Sequence, residues 1–508
     1  MKLSQLFPQM KISPDREVTA ITFDSRQVND STVFVAIRGA KADGHSFLAE
    51  VLKKNPAAVV IEISEGPQDS VSTQTLTHAL ASVPSAVTVV KVPDTRVELE
   101  RLARVFYGDP AEKLFSVVVT GTNGKTSTTY MVEAVLNHLK KPTGVIGTVN
   151  HHLGDHVWQT ELTTPDALTL QRRLADFVEL GAKAVAFEAS SHALSQNRVG
   201  SIAFDAMIFN NLTRDHLDYH KTMEEYLLAK EKLFLELPAK IKTQKKNQPV
   251  AIINYSDEYG PRIRVAENVK LLSYGEVQSD FQFKILKCDF AGTEFELKTE
   301  KETKKLHIPL VGKHNVYNAV AAIAVGVSMG ATLEVSHAGL NKFTGVPGRL
   351  QRVPHSKGLN VFVDYAHTDD ALKTVLSALH EVRKTAGLTS KIIAVFGCGG
   401  DRDKGKRPLM AKAAIAGADQ VVITSDNPRT ESPGSIIDDI LSGVMQTEMS
   451  HIVVEIDRKI AIRKAIEMAQ PGDVVLIAGK GHEDYQIIGA QKFPFSDFAV
   501  AEEVLNGL

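Results

Sequence analysis

The run Thr120-Gly121-Thr122-Asn123-Gly124-Lys125-Thr126 follows the apolar stretch Leu114-Phe-Ser-Val-Val-Val119 and opens a helical pattern from Ser127 to Leu139. Glycines there let backbone N–H groups close around an anion, and the helix N-terminus adds partial positive charge. Lys125 can reach the outer phosphates of a nucleotide, and the Thr126 hydroxyl can ligate Mg²⁺. The run departs from the usual G-x-x-x-x-G-K-[ST] because Val119 stands where the first glycine belongs. Strand, loop and helix nonetheless fall where a phosphate cradle needs them, and nucleotide binding is expected over a structural turn.

Three further positions carry chemistry. Glu188 closes the apolar run Ala184-Val-Ala-Phe-Glu, a place from which a carboxylate can hold Mg²⁺ beside a phosphate loop; the alternative is an acid complementing the next helix dipole. His216, in Arg214-Asp215-His216, is a candidate metal ligand, although a lone histidine is more often structural. On the helix beginning at Glu224, the apolar face comprises Tyr226, Leu227, Leu233, Phe234 and Leu237, and Lys230 falls in its middle at about 100° per residue. An inward lysine loses hydration and must be neutralised, paired or chemically altered. A salt bridge to Glu188 is the simpler outcome; carbamylation by CO₂ would instead convert the cation into an anion with two oxygen ligands.

Strand-like runs alternate with helical stretches throughout, so these residues sit on parallel sheets flanked by helices. In the last 160 or so residues apolar strands end abruptly four times in polar sequence: Asp364-Tyr-Ala-His367, Gly397-Cys-Gly-Gly-Asp-Arg402, Ser425-Asp-Asn-Pro-Arg429 and Gly479-Lys-Gly-His-Glu483-Asp. Ligands of open parallel sheets sit outside the carboxyl ends of the strands, so all four segments should line one edge. With 508 residues, roughly three domains are expected at about 150 each. The boundaries read as 1–96, 97–347 and 348–508, with Ser/Thr/Pro-rich sequence from Ser70 to Ser85 as a surface connection and a basic, polar insertion near Lys240–Gln248.

The balance of 58 Lys+Arg against 60 Asp+Glu, net charge −2, excludes a general nucleic-acid or anionic-membrane binder. With 43% apolar and 23% charged residues the chain is not globally disordered. Cys288 and Cys398 allow at most one bridge, and no apolar run approaches the ~20 residues that cross a bilayer. The opening Met1-Lys-Leu-Ser-Gln-Leu-Phe-Pro lacks a secretory core. A soluble, cytoplasmic α/β protein is expected.

Together, Gly121-Thr-Asn-Gly-Lys-Thr, Glu188-Ala-Ser-Ser-His, Asn210-Asn-Leu-Thr-Arg-Asp-His and Asp364-Tyr-Ala-His resemble the ATP-dependent Mur ligases. The likeness extends over almost the whole chain, including Phe23-Asp-Ser-Arg and Asp43-Gly-His. It implies an N-terminal UDP-binding α/β domain, a central P-loop ATPase-type domain with a parallel sheet, and a C-terminal Rossmann-like domain. It also implies small-molecule substrates, no nucleic-acid or membrane partner, and a monomer. Phe23, Ser25 and Ala40-Lys41-Ala42 would contact the UDP-sugar; Thr163, Thr164, Ser190, Gln196 and Arg198 would hold its muramoyl dipeptide. Gly121, Thr122, Asn123, Gly124, Lys125 and Thr126 would bind ATP, with Asn318, Arg349, Asp364 and His367 completing that site. Thr126, Glu188 and His216 would serve two Mg²⁺ ions, and Lys230 matches the family's carbamylated lysine, which replaces the salt bridge. Lys125, Glu188, His216 and Lys230 would be catalytic.

Arg402, Asp426, Asn427, Pro428, Arg429, Gly479 and Glu483 would form an amino-acid pocket. Diaminopimelate-adding members carry Asp-Asn-Pro-Arg, whereas lysine-adding members usually lack the arginine. Arg429 can grip the far carboxylate of meso-diaminopimelate bidentately; lysine has none, and would leave the guanidinium unpaired. The family usually has proline after Thr368, where this chain has Asp369, a change expected to touch only a helix start. The implied reaction is ligation through an acyl phosphate. Addition of L-lysine to the same precursor and a nucleotide-dependent switch or binding module remain the rivals; no Asn-Lys-x-Asp guanine signature is present.

Overall fold

The computed structural model describes residues 1–39, 42–63, 83–160, 162–241, 243–245, 247–355 and 358–507. Most of the Ser70–Ser85 connection, with Ala40 and Lys41, lies outside them. The chain forms two compact units, one of residues 1–125 with 140–272 and one of 126–139 with 273–508. No helix among the described residues is long and apolar enough to cross a membrane.

The first unit contains one parallel sheet and the mainly parallel part of a second. Strands β1 (Ala20–Thr22), β2 (Thr32–Val35), β3 (Ala58–Glu62) and β4 (Thr88–Val92) pair in chain order. The Thr95–Phe106 helix follows, its start fixed by Asp94, whose carboxylate accepts the N–H groups of Arg96 and Val97. Next come β5 (Phe115–Thr120), β6 (Thr143–Ile146), β7 (His151–Leu153), β8 (His156–Trp158), β9 (Ala184–Glu188), β10 (Ala206–Phe209) and β11 (Val250–Asn254). Their order is β11-β10-β5-β9-β6, all parallel, with β7 and β8 added antiparallel at the edge. The β-branched run Val117-Val-Val119 is buried on both faces, as a strand flanked by helices requires. The register sets Val119 beside Glu188 and Thr120 beside Phe209, so the loops leaving β5, β9 and β10 emerge at one edge.

Within the polar Lys240–Gln248 stretch, Lys245 Nζ lies 2.6 Å from the Asp205 carboxylate and donates to the carbonyls of Leu114 and Ala203.

Strand β12 (Lys270–Gly275) spans the passage into the second unit, where β13 (Phe281–Asp289), β14 (Gly292–Lys298) and β15 (Thr303–Ile308) form an antiparallel ribbon. The Lys125–His138 and Lys313–Ser328 helices approach closely at Gly326, where an added Cβ would stand 3.0 Å from Val135. A six-stranded sheet follows: β16 (Gln351–Arg352), β17 (Asn360–Asp364), β18 (Ile392–Phe396), β19 (Gln420–Ile423), β20 (Ile452–Val454) and β21 (Val474–Ala478), in order β16-β17-β21-β18-β19-β20 and parallel except for β16. Separate apolar clusters cover its two faces, around Phe362, Leu376 and Phe396 on one and Val361, Ile462 and Ile477 on the other. A small hairpin, β22 (Tyr485–Ile488) with β23 (Gln491–Pro494), precedes the last helix.

The pairings Asp364–Ala478, Val395–Ile477 and Phe396–Ile423 bring the carboxyl ends of β17, β21, β18 and β19 to one edge, as expected for the four polar segments. At Thr368 the hydroxyl caps the Asp369–Thr385 helix by accepting the Ala371 N–H, so the missing proline leaves the start intact.

Candidate active site

In the first unit, the loop after β5 is locked to the loop after β10. The Thr122 and Asn123 N–H groups donate to the backbone and side-chain oxygens of Asn211, at 3.0 and 2.8 Å, and the Thr213 N–H donates to the Thr122 hydroxyl at 3.0 Å. Gly124 has φ +82°, and a Cβ on Gly121 would stand 2.9 Å from that of Asn210, so neither position accommodates a side chain comfortably. Lys125 folds over this loop, its ammonium donating to the carbonyls of Gly121 (3.0 Å) and Thr122 (2.9 Å). Burial lowers its pKa against the opposing pull of Glu188 and Asp215.

Lys230 is 1% exposed on the Met223–Lys240 helix, among the apolar neighbours the periodicity indicates. Its Nζ donates to the Gly121 carbonyl at 3.0 Å and lies 4.5 Å from the centre of the Tyr226 ring. A carbonyl, not the Glu188 carboxylate, is its partner, which corrects the simple salt-bridge reading. Burial first, and Lys125 second, push its pKa well below that of an ordinary lysine, with Asp215 opposing.

Glu188 is 1% exposed and oriented by Thr148, which donates its N–H (2.8 Å) and hydroxyl (3.0 Å) to the two carboxylate oxygens. Gly147 makes room, since a Cβ there would stand 2.3 Å from Glu188 Oε1. His216, at φ +53°, is half-buried; its ring lies 5.0 Å from that of His192, and its Nδ1 lies 3.6 Å from Asp215. Among the described residues no three His, Cys, Asp or Glu side chains form a metal cage. The hard oxygen of Glu188 suits Mg²⁺ all the same, because that ion keeps waters and substrate phosphates as most of its shell.

Beside this lies a cavity of about 430 Å³ lined by Phe23, Arg96, Leu162, Asp166, Gln196 and Arg198, among others. Arg198 is held by Gln196 Oε1 (2.8 Å) and the Thr164 carbonyl (2.8 Å). The Thr164 hydroxyl donates to the Glu188 carbonyl and accepts the Ser190 N–H, while the Thr163 hydroxyl, 3.1 Å from that of Thr148, is left to donate to it. Ser25 lies off the cavity wall, in the short Ser25–Gln27 turn, and the Ala42 carbonyl accepts the Gly39 N–H.

In the second unit Asn318 accepts a hydrogen bond from Thr128 (3.1 Å), and the Asp364 carboxylate accepts the Leu350 and Ala366 N–H groups (2.6 and 2.8 Å). Burial raises the Asp364 pKa in spite of those bonds. The Arg349 guanidinium lies 5.9 Å from the Tyr365 ring centre, and His367 Nδ1 is 2.8 Å from the Tyr365 carbonyl oxygen. Farther along the same edge, Arg402 and Arg429 flank Gly399: a Cβ there would stand 3.6 Å from Arg402 Cγ and 3.0 Å from Arg429 Nη1. Asn427 Nδ2 donates to Glu483 at 2.9 Å. Gly479, at φ +118°, lies against Asp426, whose Oδ2 would be 2.9 Å from a Cβ.

Three family profiles match in succession: "Mur ligase family, catalytic domain" over residues 17–107, "Mur ligase middle domain" over 119–326, and "Mur ligase, glutamate ligase domain" over 348–481. The chain belongs to the Mur ligase family. It is 42% identical over 500 residues to the UDP-N-acetylmuramoyl-L-alanyl-D-glutamate--2,6-diaminopimelate ligase of Aquifex aeolicus, covering 97% of this chain and 94% of that one. The same-named protein of Geobacter sulfurreducens is 41% identical, covering 95% and 93%. A solved structure of a ligase with this name superimposes with a TM-score of 0.71 at 32% identity, over 100% of this chain and 99% of the other.

Within this Mur ligase, sequence reasoning passed over residues that hold the others in place. Thr148 and Asn211 are two: the signal for Thr148 is a position just beyond an apolar strand, and Asn211 lies inside the Asn210–His216 motif with no role assigned to it. Lys480 is another: it sits inside a quoted strand-end segment and is fully buried. Arg407 is also fully buried, bonded to Glu431 and Asp439 beneath the Arg402 loop.

Proposed function

We propose that this chain is an ATP-dependent ligase that joins meso-2,6-diaminopimelate to UDP-N-acetylmuramoyl-L-alanyl-D-glutamate in peptidoglycan synthesis, by way of an acyl phosphate. The observation that supports this reading is the strand-end cluster of the second unit, where Arg402 and Arg429 lie close to Gly399 and Asn427 donates to Glu483. A ligand with ammonium and carboxylate groups at both ends satisfies such a mixed pocket; lysine, with no distal carboxylate, would leave a guanidinium without its partner.

A carboxylate is a poor electrophile until one oxygen becomes a leaving group. The glutamyl carboxylate attacks the γ-phosphorus of ATP, forming an O–P bond as ADP departs. The amine of diaminopimelate then attacks the acyl carbon, forming the amide as inorganic phosphate leaves and the amine loses a proton. The Gly121–Gly124 N–H groups and Lys125 would bind the phosphates; Asn318, Arg349, Asp364 and His367 are the residues for which the family resemblance implies nucleotide contacts. Phe23, Gln196 and Arg198, lining the 430 Å³ cavity, would take the UDP-sugar peptide. Their contribution is positioning and charge compensation, the main demands of phosphoryl transfer.

Thr126, Glu188, His216 and Lys230 as its carbamate are the residues suited to Mg²⁺, which when bound would screen the phosphate charge. Only an unprotonated amine attacks CO₂, and burial beside Lys125 favours that form of Lys230. The deciding experiment supplies the purified protein with ATP, the UDP-muramoyl dipeptide and diaminopimelate, lysine or ornithine in turn. Phosphate release and tripeptide product are expected with diaminopimelate. Equal use of lysine, or no product with any of the three, would refute the assignment.

A further inference from the structure

Lys480 has no part in the roles above, yet it is the best-enclosed cation of the amino-acid pocket. It leaves β21 directly after Gly479 with no exposed surface. A buried ammonium is costly unless oxygens surround it. Here Nζ donates to Glu483 Oε2 at 3.0 Å and Asn427 Oδ1 at 3.2 Å, lies 3.8 Å from Asp426 Oδ1, and stands 5.5 Å from the Tyr485 ring centre.

These contacts settle which way Asn427 faces. Its Oδ1 accepts from both Lys480 and the Ile487 N–H (2.9 Å), so its Nδ2 must donate, and does so to Glu483 Oε2. Both bonds to Glu483 therefore fall on Oε2, leaving Oε1 as the acceptor open to a ligand. The hairpin carrying Ile487 also grips the next turn. The Arg429 N–H donates to the Ile487 carbonyl (3.1 Å), and the Gly489 N–H donates to the Arg429 carbonyl (2.7 Å), holding Arg429 at φ +51°.

We infer that Lys480 is a positioning residue for the amino-acid substrate, acting through Glu483 and Asn427 so that a carboxylate oxygen meets the substrate's ammonium while Arg429 takes its far carboxylate. This rests on the amino-acid-pocket reading given above. A compact ammonium can donate to Glu483 and Asn427 at once and still keep the Asp426 carboxylate close by in a closed slot.

The test is Lys480→Met, which keeps the length of the side chain and removes its charge. The KM for diaminopimelate should rise on the order of 10- to 100-fold, the scale of a lost charged hydrogen bond, while those for ATP and the UDP-muramoyl dipeptide stay within about twofold. Because the lysine acts through Glu483, the double variant Lys480→Met/Glu483→Gln should be no more than about twofold worse than Glu483→Gln alone. If Lys480→Met yields no folded protein, Lys480→Gln, which keeps an N–H donor group but no charge, must show the same diaminopimelate-restricted rise. A parallel rise in all three KM values, or full additivity in the double variant, would overturn the inference. The wild type separates the two levels: if it cannot use diaminopimelate, the pocket reading fails, whereas normal use with an unchanged KM in the variant removes the role of Lys480 alone.

Discussion

Lys230 Nζ and the Gly121 carbonyl lie 3.0 Å apart, so the one lysine on the buried face of the Met223–Lys240 helix is tied to the first glycine of the phosphate loop. An amine held there has exchanged water for one carbonyl and a ring face. It is thereby disposed to lose its proton.

Lys230→Ala should lower turnover on the order of 100-fold if its carbamate serves as a metal ligand. Added acetate or formate should restore part of the rate by supplying the missing carboxylate, and removing CO₂ from the buffer should slow the wild type reversibly. Turnover at the wild-type rate in the alanine variant would eliminate the ligand role.

Thr148→Val removes the hydroxyl that donates to Glu188 and leaves the backbone N–H bond in place. The Mg²⁺ concentration for half-maximal activity should rise about 10-fold, with the melting temperature almost unchanged. An unaltered Mg²⁺ requirement would show that Glu188 needs no such orientation.

Arg429→Ala should cut kcat/KM for diaminopimelate by about 10²–10³-fold, with little change for lysine, so that discrimination collapses. Competition between the two amino acids measures this directly. Retained preference for diaminopimelate would move the specificity to another side chain.

Glu100 accepts the Gly200 N–H at 2.5 Å, tying the Thr95–Phe106 helix to the loop that carries Arg198. Burial raises its pKa from 4.5 to about 8, against the pull of the Gly200 and Ser201 N–H groups. The unfolded chain ionises this group near 4.5 while the folded chain keeps it neutral. Its stabilising contribution is therefore complete below about pH 4.5 and drains away as pH rises towards about 8. Glu100→Gln keeps an acceptor without the titration, and its melting temperature should fall less steeply than that of the wild type between about pH 5 and 8. Parallel curves would contradict the assignment.

Arg458 and Asp497 are both fully buried and share two hydrogen bonds of 2.7 Å. Asp497→Ala strands a guanidinium in the interior and should cost about 3–5 kcal/mol, read as a lower denaturant midpoint. A shift under about 1 kcal/mol would mean that the Ser425 and Ala478 carbonyls, which also accept from Arg458, suffice.

The sequence by itself determined the local chemistry. The short β-branched run Val117–Val119, ending at a glycine loop, marks a strand buried on both faces, and a parallel strand that ends in Gly, Asp or Glu delivers that residue to the ligand edge. Helical periodicity likewise placed Lys230 inward, because 100° per residue leaves no other direction. What periodicity cannot specify is the partner at the far side of a contact. That Lys230 meets a carbonyl rather than Glu188, that Glu188 is claimed by Thr148 forty positions away, and that Asn427 and Glu483 share Lys480 all depend on strand order and register. Those are set by many weak packing contacts acting together. A buried charge must find oxygens somewhere, but only the tertiary structure decides whose.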